Sequence, residues 1–101
     1  MSSTRMIRYT ARPERANENA GLIRDVFAEL AQTQPEGLHY AAFRLEDGVS
    51  FVHVVSIDGD ENPLTSSAAF AAFQSEIGER VAEGPSASDA TVVGSYRMLP
   101  S

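Results

Sequence analysis

Few residues of this chain could do chemistry, and the most conspicuous is an imidazole inside an apolar run. His53 lies in GVSFVHVVSID, residues 48–58, between Val52 and Val54. A histidine so placed must find hydrogen-bond partners or face a cavity, because an unpaired polar group in apolar surroundings costs free energy. Its intrinsic pKa near ~6.5 suits it to act as a general base. The preceding segment LHYAAFRLE, residues 38–46, carries a phenol at Tyr40 and a guanidinium at Arg44. A base, a hydrogen-bond donor and a cation could together take a proton from an acidic ligand and hold the negative charge that develops. The candidate catalytic set is therefore His53, Tyr40 and Arg44. Its bland counterpart is that a His, a Tyr and an Arg at a subunit contact are more often satisfied structural groups than catalysts.

The elements that position these residues follow from hydrophobic period and turn chemistry. Asp47-Gly48 between two β-prone runs predicts a hairpin with a two-residue type I′ turn, pairing 38–46 with 49–57. In that register Leu38, Tyr40, Ala42 and Arg44 oppose Ile57, Val55, His53 and Phe51, and opposed residues share a face. Ala42 leaves room over the imidazole. The alternate face, with Leu45, Phe43, Ala41, Val52 and Val54, is the more uniformly apolar, and is expected to pack under the helices. His53 would then point away from the helices, with Phe51, Val55, Ile57 and Ala42 lining a ligand-binding face. Arg8 joins them if the first strand turns Met6, Arg8 and Thr10 the same way, leaving Ile7 and Tyr9 for the helices.

The first strand is read over RMIRYTA, residues 5–11, stopped by Pro13. Leu22, Ile23, Val26, Phe27 and Leu30 mark one face of a helix from about Asn17, its expected N-cap, to Thr33, ended by Pro35 and Gly37. Phe70, Phe73, Ile77 and Val81 mark a second helix ending near Gly84-Pro85. Residues 83–90 read as a loop, and TVVGSYRML, residues 91–99, as the last strand with a bulge or close approach at Gly94. The acidic stretch 58–67 lacks the ligand alternation of a calcium loop and reads as a solvated turn. The order β-α-β-β-α-β describes a ferredoxin-like α+β domain spanning 1–101. Its antiparallel sheet would run 4-1-3-2, with both helices on one face.

Composition narrows the function classes. Eight basic against fourteen acidic residues give a net charge of -6, which disfavours nucleic acid and anionic membranes as partners. Without cysteine there is no disulfide, thiolate nucleophile or Cys-ligated metal. His39, the only other histidine, would lie on the opposite face from His53, so no metal site is expected. The opening MSSTRMIRYT has no signal-peptide apolar core, and no window of ~18 apolar residues occurs, so a cytoplasmic protein is the expectation.

A sheet face carrying Leu38, Phe51, Val55 and Ile57 without helices over it asks for cover, and a second copy would supply it as a two-fold dimer. With that arrangement, from MIRYTARP through GLHYAAFRLEDGVSFVHVVSID and SSAAFAAFQSEI to TVVGSYR, the chain resembles the antibiotic biosynthesis monooxygenase-like family of the dimeric α/β-barrel superfamily. The resemblance implies a homodimer, a pocket for a quinol or other small phenolic molecule, and a monooxygenase-like activity without a cofactor. Where that family commonly has Glu-x-Trp on its third strand, this chain has Val55 and Ile57. It has no tryptophan, so the Asn, Trp and His set of the haem-degrading branch cannot be assembled. No Gly-rich phosphate loop points to flavin. The alternative of another class is a non-catalytic dimeric barrel of the same fold, serving as a small-ligand-binding or structural module.

Overall fold

The structure, a computed structural model, describes residues 2–97. Strand β1 (Ser2–Ala11) leads through a short 3₁₀ turn into helix α1 (Ala16–Thr33), then into the β2 (Leu38–Arg44) and β3 (Ser50–Asp58) hairpin. Two short helices follow, α2 (Ala68–Ser75) and α3 (Ile77–Arg80), and β4 (Val81–Ala90) closes the sheet. The antiparallel order β2-β3-β1-β4 is the expected 4-1-3-2 arrangement read from the other edge. None of the described helices is long and apolar enough to cross a membrane.

The hairpin register is as expected, with Leu38 opposite Ile57, Tyr40 opposite Val55, Ala42 opposite His53 and Arg44 opposite Phe51. The turn that sets it differs. Gly48 alone has a positive φ, 79°, and donates its N–H to the Leu45 carbonyl, while Leu45 donates to Ser50. Asp47 secures the turn by accepting from the Val49 and Ser50 backbone N–H groups and from the Ser50 hydroxyl. Lengthening the loop by one residue on each side leaves the pairing unchanged, so the register survives the change of turn.

The sheet faces are the reverse of the expectation. Tyr9, Phe51, His53 and Val55 lie beneath the helices, packed with Ala20, Ile23 and Val26 of α1 and Phe73 of α2. The β1–β3 pairing sets Ile7 opposite His53 and Tyr9 opposite Phe51, joining the apolar side of β1 to the imidazole face. Met6 and Phe43 are left exposed on the other face, beside half-buried Val52 and Val54. Arg8, opposite Val52, falls on that open face and not with His53. The helix-covered side can accept Tyr and His because their polar atoms pair with one another there.

Two boundaries move for tertiary reasons. Helix α1 begins at Ala16 with Arg15 as N-cap, so Asn17 lies in its first turn; it ends as expected at Thr33, with Gln34 left-handed. The second helical region breaks at Glu76, and Val81 already belongs to β4. Residues 83–90, expected as a loop, are therefore strand. Gly84 and Pro85 form a bulge against β1, where Arg8 pairs with Ser86 but Thr10 pairs with Glu83. An edge strand tolerates proline, which has no N–H to give. Gly84 is needed there, since its φ is 93° and a Cβ would meet the Arg8 carbonyl oxygen at 3.1 Å. Gly94, the expected close-approach site, has open space around it. Residues 91–97 form no strand despite their Val and Tyr, because β3 and β4 already occupy both edges of β1; residues 98 and 99 of the expected strand lie outside the described residues.

Phe51 is 2% exposed and stacks on Tyr9 with centroids 5.5 Å apart. Phe51→Ala should therefore lower the unfolding free energy by about 3–5 kcal/mol. Urea denaturation tests this, and a loss below about 1 kcal/mol would place Phe51 on the open face.

Candidate functional site

The polar centre of the molecule is a chain of buried side chains between sheet and helices. Arg80, at the end of α3 and 1% exposed, donates its Nε–H to Asn19 Oδ1 at 3.0 Å and an Nη2–H to the Phe73 carbonyl. Its guanidinium also lies 5.4 Å from the Phe73 ring centroid. Asn19, fully buried on α1, donates its Nδ2–H to the Tyr9 hydroxyl at 2.8 Å. The Tyr9 oxygen stands 3.0 Å from His53 Nε2, and His53 Nδ1 stands 2.6 Å from the Tyr40 hydroxyl. Both imidazole nitrogens are thus paired by phenols, and the ring packs against Phe73 with centroids 5.5 Å apart. No buried side-chain nitrogen or oxygen among the described residues lacks a partner.

His53 and Tyr40 line a recess of about 110 Å³ under α2, together with Tyr9, Val55, Phe70 and Phe73. Its walls are mostly aromatic and aliphatic, so a small ring is the shape and polarity that suits it. Tyr40 also borders a more open depression of about 510 Å³ beside Phe27, Ala42, Arg44 and Phe51. The Phe27 ring packs on Tyr40 with centroids 4.7 Å apart.

The expected site residues do not all converge. His53, Tyr40 and Val55 meet at the recess, while Ala42 and Phe51 line the neighbouring depression. Ile57 is half-buried at the margin of the core. Arg44 donates to the Gly48 carbonyl at 2.8 Å and to Asn17 Oδ1 at 3.1 Å, and lies over the Phe51 ring, away from His53. Arg8 is on the other side of the sheet. His39 pairs with Asp58 at 3.1 Å. Among the described residues no group of three or more His, Cys, Asp or Glu side chains is placed to hold a metal.

Sequence reasoning missed Tyr9, Asn19 and Arg80. Tyr9 was assigned to the helix side but not joined to His53, because no hairpin connects β1 and β3. Asn19 had a detectable signal. It falls on the same helical stripe as Ile23 and Val26, where an amide needs a buried partner.

Burial governs the titration of the site. Desolvation lowers the His53 pKa to about 4, so the ring is neutral at physiological pH. Burial raises the Tyr40 phenol, with the Tyr9 charge adding to it. Burial also raises Tyr9, against the opposing Asn19 bond and Arg80 charge. Unfolding returns His53 from about 4 toward 6.5, so the unfolded chain takes up the proton first. The stability from neutral His53 is complete above about pH 6.5 and is lost as the pH falls toward 4. That loss should be on the order of 3 kcal/mol. Urea denaturation between about pH 6.5 and 5 should show this slope, and His53→Gln should flatten it.

No family model matches the chain, and no curated protein matches it. Solved structures do. A protein from Nitrosomonas europaea named for the antibiotic biosynthesis monooxygenases superposes with a TM-score of 0.75 at 8% identity, covering 91% of this chain and 90% of its own. One of the same name from Bacteriodes thetaiotaomicron gives 0.72 at 19% identity, covering 91% and 90%. Rv0793 from Mycobacterium tuberculosis gives 0.70 at 16% identity, covering 94% and 98%. At these identities the likeness speaks to architecture, and the chain has the ferredoxin-like α+β fold of the antibiotic biosynthesis monooxygenase-like proteins.

Proposed function

We propose that the protein is a cofactor-independent, monooxygenase-like enzyme that takes a small phenol or quinol into the recess beneath α2. The observation that carries this reading is the His53–Tyr40 pair, 2.6 Å apart, at the wall of a recess whose other lining is apolar except for Tyr9 and Gln74. The Tyr40 hydroxyl is the polar group that meets the substrate oxygen, and His53 holds it in place. An electron-rich ring bound as its anion can pass electrons to dioxygen directly. When a ring C–H of a phenol becomes a quinone carbonyl, one oxygen atom of dioxygen enters the product and the other leaves as water with that hydrogen and the phenolic one, so no external reductant is consumed. The names of structurally similar proteins support the class of reaction, and the small aromatic-lined recess supports the class of substrate.

Oxygen-electrode measurements with simple phenols and hydroquinones test the proposal. Turnover above the uncatalysed rate is expected, with Tyr40→Phe lowering it about 10²-fold or more while leaving the fold intact. A second reading, a non-catalytic small-ligand-binding module, is favoured by the saturation of both His53 nitrogens. Phenol-induced thermal stabilisation without dioxygen uptake would establish that reading instead.

The working form in this proposal is a homodimer formed through the open face of the sheet, not through the face bearing Phe51, Val55 and Ile57. Met6 and Phe43, each more than two-fifths exposed, flank Val52 and Val54 there, and a second copy related by a two-fold axis would cover them. Sedimentation should show a dimer at micromolar concentration. Val54→Asp would place a charge in the covered face and should give a folded monomer.

A further inference from the structure

The direction of every hydrogen bond in the buried chain follows from its first member. Arginine only donates, so the atom of Asn19 facing Arg80 is Oδ1, and the amide nitrogen must face Tyr9. Tyr9 accepts from Asn19, which leaves its own proton for His53 Nε2, the remaining partner of that hydroxyl among the described residues. Nε2 is then an acceptor, and the single proton of the neutral ring resides on Nδ1 and is donated to the Tyr40 oxygen. The reverse tautomer would leave the buried Tyr9 proton without an acceptor. With Nδ1–H donating, the proton left over is that of Tyr40, whose hydroxyl has no partner besides His53 among the described residues and whose side chain lines the recess.

We infer that this chain of bonds presents the Tyr40 proton to the recess, so that the site takes an aromatic ligand as its oxyanion, a phenolate, with Asn19 and Arg80 as the positioning residues that set this polarity. The inference rests on the reading of the recess as the ligand site. It changes the part His53 plays, because an imidazole that already donates from Nδ1 and accepts at Nε2 orients Tyr40 rather than removing a proton from the substrate. Selectivity follows directly. A ligand oxygen that accepts, and above all one that carries charge, is favoured over one that must donate.

Long-range ¹H–¹⁵N correlation on the full chain reads the tautomer without any ligand, and the proton is expected on His53 Nδ1. A proton on Nε2 overturns the inference outright. Asn19→Asp is the reversing variant, because a carboxylate accepts from both Arg80 and Tyr9 and leaves Tyr9 no proton for His53. In it the His53 proton should move to Nε2; an unchanged tautomer would remove the role assigned to Asn19 and Arg80. 4-Nitrophenol, whose colour reports its ionisation, serves as the ligand probe. Desolvation in the recess raises a phenol in both proteins alike, so the readout is the difference: the apparent pKa should be about one unit lower in the unmodified protein than in Asn19→Asp, a tenfold greater preference for the phenolate. If the proton is on Nδ1 but 4-nitrophenol does not bind, the ligand assignment falls and with it the recess as a phenol site. If it binds as the phenolate without dioxygen uptake, the inference stands and the oxygenase reading fails.

Discussion

A guanidinium buried to 1% exposure must have its hydrogen bonds met inside the protein, and the arrangement around Arg80 depends on meeting them. Among the described residues no carboxylate forms an ion pair with it, and its partners are an amide oxygen, a backbone carbonyl and an aromatic face. Burying a charge on these terms is costly unless each contact is well made. The contacts draw together α1 through Asn19, α2 through Phe73, and the start of β4, which follows Arg80 directly. The Arg80 carbonyl also accepts from the Arg12 N–H, fastening the end of β1 to the same point. Losing any one partner would strand a buried donor, so these elements are held to one relative placement.

From that anchor the chain of bonds runs to His53 and explains why a polar-looking sheet face can lie under helices. Tyr9, His53 and Tyr40 would each be expensive to bury alone. Linked through one another, they leave only hydrocarbon and ring faces to pack, and Tyr9, Phe51, His53 and Phe73 form a set of ring contacts across the sheet–helix boundary. The face that carries Phe43, Val52 and Val54 remains the open one. Counting apolar residues thus chose the wrong side. Polar groups that satisfy one another behave, for packing, as part of the core.

The same linkage bears on chemistry. An imidazole with its pKa lowered to about 4 and both nitrogens occupied is a poor free base. It is well suited to hold a neighbouring phenol in a defined rotamer. Tyr40, half-buried at the wall of the recess, is consequently the residue best placed to touch a ligand. Arg44 and Arg8, attractive as cations in the linear chain, are occupied elsewhere or lie across the sheet.

What could be read from the linear chain was whatever local chemistry decides. The periodicity of Ile23 and Val26, the Asp47-Gly48 turn and the spacing of the elements determined the fold class, the strand order and the hairpin register. The pairing of His53 with Ala42 and Tyr40's place one step along β2 followed from that register. Tertiary structure decided the rest because the deciding contacts join residues with no local relation. The β1–β3 register, which sets Tyr9 beside His53, spans 44 residues between those two side chains, and the Arg80–Asn19 bond spans 61. The choice of 81–90 over 91–97 as the last strand went against β-propensity, because the Gly84-Pro85 bulge accommodates Tyr9 and no edge of β1 was left for the more β-prone segment. Which face the helices cover, and so whether His53 looks outward or inward, depended on those long-range pairings together, and no single stretch of the chain carries that information.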